Sequence, residues 1–268
     1  MEPSELAVPV GAPEETKTPE QVVADILPIE AEPHRARRVL DEVPFWFHTF
    51  ALNRAEGVYT PGAALDHRYR IPALPDDFTG LSVLDVGAFD GFYAFVAEDR
   101  GAERVLAIDN EQYVHWVRSR WDIELEGGEG FRAIHRLLDS NVEYRMLDAF
   151  DLDELDESFD LIYCFGILHR VQNPLGLLRR LRERLEPDGR VLLETHGVPE
   201  NDGSEHGVVR VPEVGEVYKD DAYVFWEFTT GSLDRLSGYA GFREMELHDT
   251  PVIDGHPRIL ATLTADGG

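Results

Sequence analysis

The segment VLDVGAFDGFYAF, residues 83–95, is the strongest indication of fold in this 268-residue chain. It begins as an apolar run, reaches the acid Asp85, turns at Gly87 and opens into a helix after Gly91. Glycine lets a backbone approach a ligand closely, and the first N–H groups of a helix are free to bind one. The segment therefore predicts the first strand–turn–helix unit of a nucleotide-binding sheet.

Strands and helices alternate on both sides of this segment, which is typical of a parallel sheet with helices on both faces. The apolar patterns predict strands at 82–86, 104–109, 142–147, 159–165 and 190–195, and helices at 92–100, 111–125, 175–185 and 231–240. Two final strands, 243–248 and 258–264, are expected to pair antiparallel at one sheet edge. The predicted fold class is α/β, Rossmann-like and mostly parallel.

The chain divides into three predicted regions. Residues 1–33 are acidic and proline-rich and predict a largely disordered tail, with one short helix at 20–27. Residues 34–80 are expected to form an N-terminal cap segment, and residues 81–268 the main domain. Within that domain, residues 196–229 are rich in glycine, proline and acids, and their length indicates a lid or binding insertion.

Composition excludes several classes of function. The chain has 25 basic and 52 acidic residues, a net charge of −27, which argues against nucleic acid or an anionic membrane as a partner. Its single cysteine, Cys164, excludes an intramolecular disulfide, and we predict no metal site. The N-terminus lacks the basic and apolar regions of a signal peptide, and no apolar run is long enough to span a bilayer. We therefore expect a cytoplasmic protein, with the oligomeric state left open.

The spacing of glycines indicates which ligand the first turn binds. Dinucleotide-binding turns read GxGxxG, whereas this turn reads GAFDG at 87–91, with two glycines and an acid between them. Asp90 would repel a phosphate, and together Asp85 and Asp90 suit a ligand that carries an ammonium group. The spacing therefore argues against NAD and ATP.

Two further acids follow successive strands. Asp109 ends the second predicted strand, where a carboxylate can accept hydrogen bonds from both hydroxyls of a ribose. Asp148 lies just past the third strand and is placed to accept from an adenine amino group. Together with Asp85, these acids predict an adenosyl ligand at the carboxyl ends of the strands.

These features make the chain resemble the class I S-adenosylmethionine-dependent methyltransferases. The segments that carry the resemblance are VLDVGAFDGFYAF, RVLAID, MLDAFDL, FDLIYCFGILHRVQNPLGLLRRLRERLEPDGRVLLET and GSLDRLSGYAGFREMELHD, within residues 80–265. The resemblance implies a seven-stranded sheet with a reversed last strand, S-adenosylmethionine as cofactor and S-adenosylhomocysteine as product. It implies cofactor contacts by Asp85, Gly87, Ala88, Phe89, Gly91, Asp109, Asn110, Asp148, Ala149, Phe150 and Phe165.

A narrower resemblance points to one branch of that family. The segments WFHTFALNRAEGVYTPG and FGILHRVQNPL are similar to the branch that includes the tRNA wobble-uridine carboxymethyltransferases. That branch has a Tyr-His pair after the fourth strand, where this chain has His169 and Arg170. The difference removes a tyrosine that would help to bind the extra carboxylate of carboxy-S-adenosylmethionine. With the net charge, it favours S-adenosylmethionine and a small-molecule acceptor; tRNA (carboxy)methylation and a non-catalytic role stay as alternatives.

Candidate catalytic and substrate residues lie in loops around the predicted cofactor site. Methyl transfer is an in-line displacement that needs alignment, exclusion of water and, for some acceptors, removal of a proton. We predict His169 as base, with His196 as second candidate, because imidazole titrates near neutral pH. An arginine in a capped pocket suggests a carboxylate-bearing substrate, and the aromatic residues of the insertion, Tyr223, Phe225, Trp226 and Phe228, suit a planar acceptor. The predicted substrate contacts are Trp46, His48, Tyr59, Arg70, Arg170 and Trp226.

Overall fold

The computed structural model describes residues 19–64, 69–198, 207–218, 221–253 and 255–265. The N-terminal part forms two helices, α1 (Pro19–Ile26) and α2 (Pro33–Glu42), and a hairpin of β1 (Ala51–Asn53) and β2 (Val58–Tyr59). The predicted disordered tail is wrong for its second half. The helix expected at 20–27 is α1, and Val23, Leu27 and Ile29 are buried in the hydrophobic core. Residues 1–18 lie outside the described residues.

The main domain alternates strands and helices. Its first half contains β3 (Ser82–Val86), α3 (Phe92–Asp99), β4 (Arg104–Asp109), α4 (Gln112–Trp121), α5 (Glu129–Leu138) and β5 (Glu143–Met146). Its second half contains β6 (Phe159–Phe165), α6 (Pro174–Glu183), β7 (Leu185–His196), β8 (Val209–Arg210), β9 (Glu227–Phe228), α7 (Thr230–Ala240), β10 (Glu244–Asp249), β11 (Val252–Ile253) and β12 (His256–Thr264).

The main strands form one sheet in the order β10-β12-β7-β6-β3-β4-β5, with the short β11 paired to β12. β12 is antiparallel to both β7 and β10, and the pairs β3–β4, β4–β5, β3–β6 and β6–β7 are parallel. The expected sheet of seven strands with one reversed is confirmed. From β3 the chain continues outward to β4 and β5. It then returns to the other side of β3 and adds β6 and β7 there. Ligands bind at such a switch in strand order, beyond the carboxyl ends of the strands.

Helices cover the sheet on both faces because its strands are apolar on both sides. Neighbouring residues of β3 belong to different cores: Val83 packs with α3, α5 and the N-terminal part, and Leu84 packs with α6 and α7. The first core includes the aromatic residues Phe50, Phe92 and Phe131. The N-terminal part is therefore fixed to the outer face of α3 and α5.

The structure differs from the predicted elements in three places. Helix α4 ends at Trp121, four residues early, because Asp122 adopts a left-handed backbone with φ +56°. Helix α5 was not predicted. Strand β7 begins at Leu185 because the expected break at 187–189 is only an irregularity in its pairing with β6. Of the predicted insertion 196–229, residues 199–206 and 219–220 lie outside the described residues. No helix in the described part of the chain is long and apolar enough to cross a membrane.

Candidate active site

A cavity of about 650 Å³ opens at the carboxyl ends of β3, β4 and β6. The turn after β3, the start of α4 and the loops after β5 and β6 form most of its wall. Tyr223 and Phe225, from the segment before β9, also line it. The predicted site residues that line this cavity are Arg70, Gly87, Phe89, Asp109, Asn110, Asp148, Ala149, Phe150, Phe165, His169 and Arg170.

The turn after β3 is shaped by two left-handed residues. Gly87 has φ +77°, and a Cβ at this position would overlap the side chain of Ile167. Phe89 has φ +55°, which a bulky residue rarely adopts. Its N–H donates to Asp109 Oδ2 at 2.8 Å, and its ring stacks on that of Phe47 at 4.8 Å between centroids. The turn therefore presents an aromatic ring to the cavity and joins β3, β4 and the N-terminal part.

Asp109 is buried at the end of β4 and lines the cavity. Its carboxylate accepts from the N–H groups of Phe89 and Asn110, both at 2.8 Å. Burial, reinforced by the negative charges of Asp90 and Asp148, raises the pKa of Asp109 to about 7. Each carboxylate oxygen has a second lone pair, so Asp109 can still accept hydrogen bonds from a ligand.

Asp148 and Asn110 are joined across the ends of β4 and β5. Asn110 Nδ2 donates to Asp148 Oδ2 at 2.6 Å, and the N–H of Phe150 donates to Asp148 Oδ1 at 2.8 Å. Ala149 and Phe150 follow in the cavity wall. This arrangement fixes the loop after β5 so that a carboxylate and an aromatic ring face the same space.

Asp85 lies beneath the cavity, at the end of β3. It is 3% exposed, and its Oδ2 has no hydrogen-bond partner among the described residues. Burial and the nearby charge of Asp109 raise its pKa to about 7. A buried carboxylate oxygen without a partner is costly, so Asp85 suits a cationic group such as the ammonium of an amino acid.

His169 and His196 pack against each other with ring centroids 4.2 Å apart. His169 lines the cavity; its Nδ1 lies 3.3 Å from Thr195 Oγ1, and its Nε2 has no partner among the described residues. Burial, the neighbouring His196 and nearby arginines lower the pKa of His169 well below its ordinary value. Burial and Arg258 lower the pKa of His196 in the same direction. Both imidazoles are therefore neutral at neutral pH and resist protonation.

A buried ionic group closes the β7–β12 side of the cavity. Glu194 of β7 is fully buried and accepts from Arg70 Nη2 at 2.7 Å. Arg258 Nε lies 3.2 Å from the other oxygen of Glu194. Arg70 also donates to the hydroxyl oxygen of Tyr93 at 3.2 Å. Two arginines thus share one carboxylate at the cavity wall.

Asp221 holds the segment before β9 against α4. Its carboxylate is buried and accepts from Trp116 Nε1 and Arg170 Nη1, both at 3.0 Å. Arg120 lies 3.7 Å from the same carboxylate. The N–H of Phe225 donates to the carbonyl oxygen of His169 at 2.9 Å. The segment is therefore attached on two sides where it covers the cavity.

A family model described as "Methyltransferase domain" matches residues 60–241, more than half of the chain. The chain belongs to this methyltransferase family. It is a class I S-adenosylmethionine-dependent member, so the predicted family, fold and cofactor are confirmed. The match includes the β3 turn, the acids after β4 and β5, and the segment that covers the cavity.

Similar proteins support the predicted branch. A tRNA U34 carboxymethyltransferase of Campylobacter hominis is 30% identical over 44% of this chain and 37% of its own length. One from Trichodesmium erythraeum is 24% identical over 61% of this chain and 44% of its own length. The chain thus spans less than half the length of these relatives. Among solved structures, the N-terminal domain of EvdMO1, in the presence of SAH and D-fucose, superposes with a TM-score of 0.61 at 21% identity, over 88% of this chain and 98% of that chain.

Several predicted cofactor and catalytic residues of this methyltransferase do not line the cavity. Asp85 and Ala88 lie behind the turn, and Ala88 donates its N–H to the carbonyl oxygen of Ile108. Gly91 is needed for packing, because it has φ +81° and a Cβ there would meet the ring of Phe131. His196 is fully buried behind His169.

Three predicted substrate residues of the cap, Trp46, His48 and Tyr59, lie outside the cavity wall. Trp46 is buried against Phe50. His48 is 4% exposed, and its ring Nδ1 contacts Asp90 Oδ1. Tyr59 is half-buried on β2. Among the described residues of segment 34–80, Phe47 and Arg70 line the cavity, and Phe47 was not among the predicted site residues.

Of the four aromatic residues of the insertion that were expected to suit a planar acceptor, two do not line the cavity. Trp226 turns away from the cavity and donates its Nε1 to the carbonyl oxygen of Val171 at 2.7 Å. Phe228 is fully buried in the core of the β6–β7 side. Tyr223 and Phe225 are the aromatic residues of the insertion that line the cavity.

Other lining residues were missed by sequence reasoning. Tyr113 and Trp116 lie on the cavity side of α4, where two aromatic residues three apart are a recognisable helical signal. Arg258 begins the apolar part of β12, opposite His196 in the register. An arginine within an apolar strand was a signal available in the sequence.

Proposed function

We propose that this methyltransferase methylates a hydroxyl, carboxyl or amine of a small molecule. The observation that carries the proposal is that cofactor-side acids and a polar acceptor-side wall share one covered cavity of about 650 Å³. Volumes of roughly 300–1,000 Å³ are typical of small-molecule sites. Asp109 and Asp148 lie on one side, and His169, Arg70 and Arg258 on the other.

The residues of this chain fit the cofactor on its cationic and polar parts. S-Adenosylmethionine supplies, when bound, an electrophilic methyl carbon on a sulfonium. Asp85 offers an unpartnered buried oxygen for the ammonium group. Asp109 would accept from the ribose hydroxyls, and Asp148 would accept from the adenine amino group. The hydrogen bonds of Asp109 and Asp148 to neighbouring N–H groups hold both acids in position before a ligand arrives.

His169 would orient the acceptor. Its unpartnered Nε2 can hydrogen-bond to a hydroxyl or amine at the cavity wall. Its lowered pKa makes it a weak base, so it cannot retain a proton at neutral pH. We therefore assign alignment to His169 and expect the acceptor to enter already deprotonated or, as an amine, to release its proton to solvent when the product leaves.

The aromatic wall would exclude water from the reaction. Phe47, Phe89 and Phe225 surround the cavity from three different segments. Displacement at a sulfonium carbon benefits from a dry, closed site because water competes as nucleophile and misaligns the acceptor. The contacts of Asp221 with Trp116 and Arg170 support this closure.

The second candidate is tRNA (carboxy)methylation, favoured by the names of the curated relatives. It requires a basic surface at the cavity mouth. Several arginines in the segments that could form one face carboxylates instead: Arg37 faces Glu56, Arg118 faces Glu124, and Arg120 and Arg170 face Asp221. Arg68 lies outside the described residues. These pairings and the net charge of −27 favour the small-molecule proposal.

Calorimetric titration of the ligand-free protein tests the proposal. The ligands are S-adenosylmethionine, S-adenosylhomocysteine, carboxy-S-adenosylmethionine and NADH. We expect micromolar binding of the first two, no preference for the carboxylated form and no binding of NADH. A clear preference for the carboxylated form would favour the tRNA reaction, and absence of adenosyl-ligand binding would contradict the enzyme proposal.

His169→Ala separates alignment from cofactor binding. We expect lower turnover with one active acceptor from a small-molecule screen, while the affinity for S-adenosylhomocysteine is unchanged. Full activity of the variant would remove His169 from the mechanism. The exposed Arg190→Gln variant, on the surface of β7, is a control for handling and folding.

A further inference from the structure

The two arginines around Glu194 are the most unusual charged group in the described part of the chain. The side chains of Arg70 and Arg258 are 10% and 11% exposed, and that of Glu194 is fully buried. Both arginines line the cavity. Arginines are almost never buried to this extent unless they are paired, and here one carboxylate serves two of them.

The neighbouring titratable groups do not compensate the extra positive charge. Burial raises the pKa of Tyr69 and Tyr93, so both phenols stay neutral. His169 and His196 are neutral as well, because their pKa values are lowered. Asp85 lies near Arg70, and in the proposed function its charge is paired with the ammonium group of the cofactor. The group of Arg70, Glu194 and Arg258 therefore has a net charge of +1 when the cofactor is bound.

The same arginines hold unused hydrogen-bond donors. Arg70 Nε and Arg258 Nη1 are buried and have no hydrogen-bond partner among the described residues. A buried donor without a partner costs free energy, and a guanidinium presents its N–H groups in a planar fork that matches a carboxylate. Charge and donor geometry thus indicate the same ligand chemistry, a single carboxylate.

The position of this group separates it from the adenosine side of the cavity. Glu194 is on β7 and Arg258 on β12, whereas Asp109 is on β4. Three strand spacings separate β7 from β4 in the sheet order, about 14 Å at roughly 4.8 Å per strand. His169, the proposed alignment residue, lines the cavity and packs against His196 of β7 with ring centroids 4.2 Å apart.

We propose that Arg70 and Arg258 bind a carboxylate of the methyl acceptor, so that the substrates of this enzyme are small carboxylic acids with a planar, apolar body. Phe165 and Tyr93 hold the Arg70 guanidinium at 5.2 and 5.5 Å from their ring centroids, and this stacking fixes its orientation. The inference rests on the proposed small-molecule methyltransferase function. The same chemistry could be supplied by the amino-acid carboxylate of the cofactor, which the experiment must separate.

The test uses benzoate as probe and benzamide as its neutral match, each titrated calorimetrically into protein saturated with S-adenosylhomocysteine. We expect benzoate to bind at least tenfold more tightly than benzamide. We expect Arg258→Gln and Arg70→Gln each to weaken benzoate at least tenfold and to change the affinity for S-adenosylhomocysteine less than twofold. Arg190→Gln, an exposed arginine on the strand of Glu194, should behave as the unmodified protein.

Two results would overturn the proposal. Equal binding of benzoate and benzamide, or binding of neither, to the saturated protein would show that the arginines do not take an external carboxylate. If Arg258→Gln weakens S-adenosylhomocysteine but not 5′-methylthioadenosine, which lacks the amino-acid part, the carboxylate is that of the cofactor. In both results the unmodified protein still binds S-adenosylhomocysteine, so they are distinct from failure of the proposed function, in which S-adenosylhomocysteine does not bind the unmodified protein.

A conservative variant keeps the proposal testable if a glutamine variant does not fold. Each glutamine variant leaves Glu194 paired with the other arginine, so we expect both to fold, and urea unfolding checks this. If one does not fold, Arg258→Lys keeps the charge and loses the planar fork. We expect it to bind benzoate better than benzamide by a smaller factor than the unmodified protein; an unchanged factor would contradict recognition by the guanidinium fork.

Discussion

The carboxylate of Asp90 contacts both the backbone N–H and the imidazole ring of His48. Asp90 Oδ2 accepts from the N–H of His48 at 3.0 Å and from that of Phe47 at 2.8 Å, while Oδ1 contacts the imidazole Nδ1. Asp90 is the acid between the glycines of the β3 turn, which the sequence suggested for a cationic ligand. It instead attaches the N-terminal part to the turn and holds Phe47 over the cavity.

Removal of this attachment should destabilise the protein. We expect Asp90→Ala to lower the free energy of unfolding by about 3 kcal/mol, because it leaves two N–H groups without their acceptor and removes the carboxylate from the buried His48 ring. Affinity for S-adenosylhomocysteine should fall as Phe47 loses its position. Urea unfolding measures the first effect and calorimetry the second. The exposed Asp41→Ala is the control, and an equally small effect of both variants would contradict the attachment.

The left-handed backbone of Phe89 predicts an unusual order of substitutions. Both Phe89→Ala and Phe89→Gly remove the ring contacts with Phe47 and Tyr113. Only glycine relieves the strain at φ +55°, so we expect the glycine variant to be more stable by about 1 kcal/mol. Urea unfolding of the two variants compares them directly. Greater stability of the alanine variant would mean that the turn relaxes out of this conformation.

Cofactor affinity should depend on pH near neutrality. Asp85 and Asp109 have pKa values of about 7, above the ordinary value of an aspartate, so both are largely protonated at pH 6 and ionised at pH 8. Binding of an ammonium or ribose group favours the carboxylate, and each residue should therefore strengthen binding of S-adenosylhomocysteine about tenfold over this range. Calorimetry at pH 6, 7 and 8 measures the rise.

A single substitution separates the two acids. Asp109→Asn should reduce the pH-dependent rise by about tenfold, and the remaining contribution of Asp85 should move to lower pH because the charge of Asp109 no longer raises its pKa. The exposed Asp151→Asn variant should keep the full rise. If Asp109→Asn and the unmodified protein show the same pH dependence, Asp109 does not titrate in this range.

The two buried histidines should lower the free energy of unfolding at acidic pH. His169 and His196 have lowered pKa values in the folded protein. Below pH 6.5 these two histidines therefore become protonated in the unfolded chain and stay neutral in the folded protein. Stability due to each neutral histidine is present above pH 6.5 and is lost as the pH falls below it. We expect each histidine to lower the free energy of unfolding by about 1.4 kcal/mol as the pH falls from 7.5 to 5.5.

Glutamine variants isolate this effect from other titrating groups. The difference in unfolding free energy between the unmodified protein and His169→Gln, or His196→Gln, should shift by that amount in favour of the variant at pH 5.5. Urea unfolding at the two pH values measures it. The exposed His34→Gln variant should show no shift, and a pH-independent difference for the buried positions would rule out their neutral state.

Much of the architecture could be read from local pattern. The run SVLDV before the glycine turn is β3, and the period of the leucines in α6 matches its buried face, with Leu177, Leu178 and Leu181 inside. The acids Asp85, Asp109 and Asp148 follow successive strands as predicted. Local pattern suffices here because apolar periodicity and turn chemistry act between residues close in sequence.

Helix α5 and the extent of β7 could not be read in this way. The end of α4 depends on one residue, Asp122, in a left-handed conformation, and β7 begins early because Leu185 pairs with Phe159 across the sheet. These helix and strand ends depend on tertiary contacts, which outweigh the weak conformational preference of the local sequence. Helix α1, by contrast, was expected at 20–27, and what the local pattern did not show is the burial of Val23 in the core.

The sequence alone was sufficient for most strands and helices of the main domain, the glycine turn after β3 and the family, because these depend on spacing along the chain. It could not show where each polar side chain points. Asp90 faces the N-terminal part rather than the ligand, and His196 lies behind His169. Arg70 pairs with Glu194, which is 124 positions away in the chain and is also contacted by Arg258. Such pairings arise when the folded sheet brings distant strands together, and burial then determines which charges pair and which groups stay neutral.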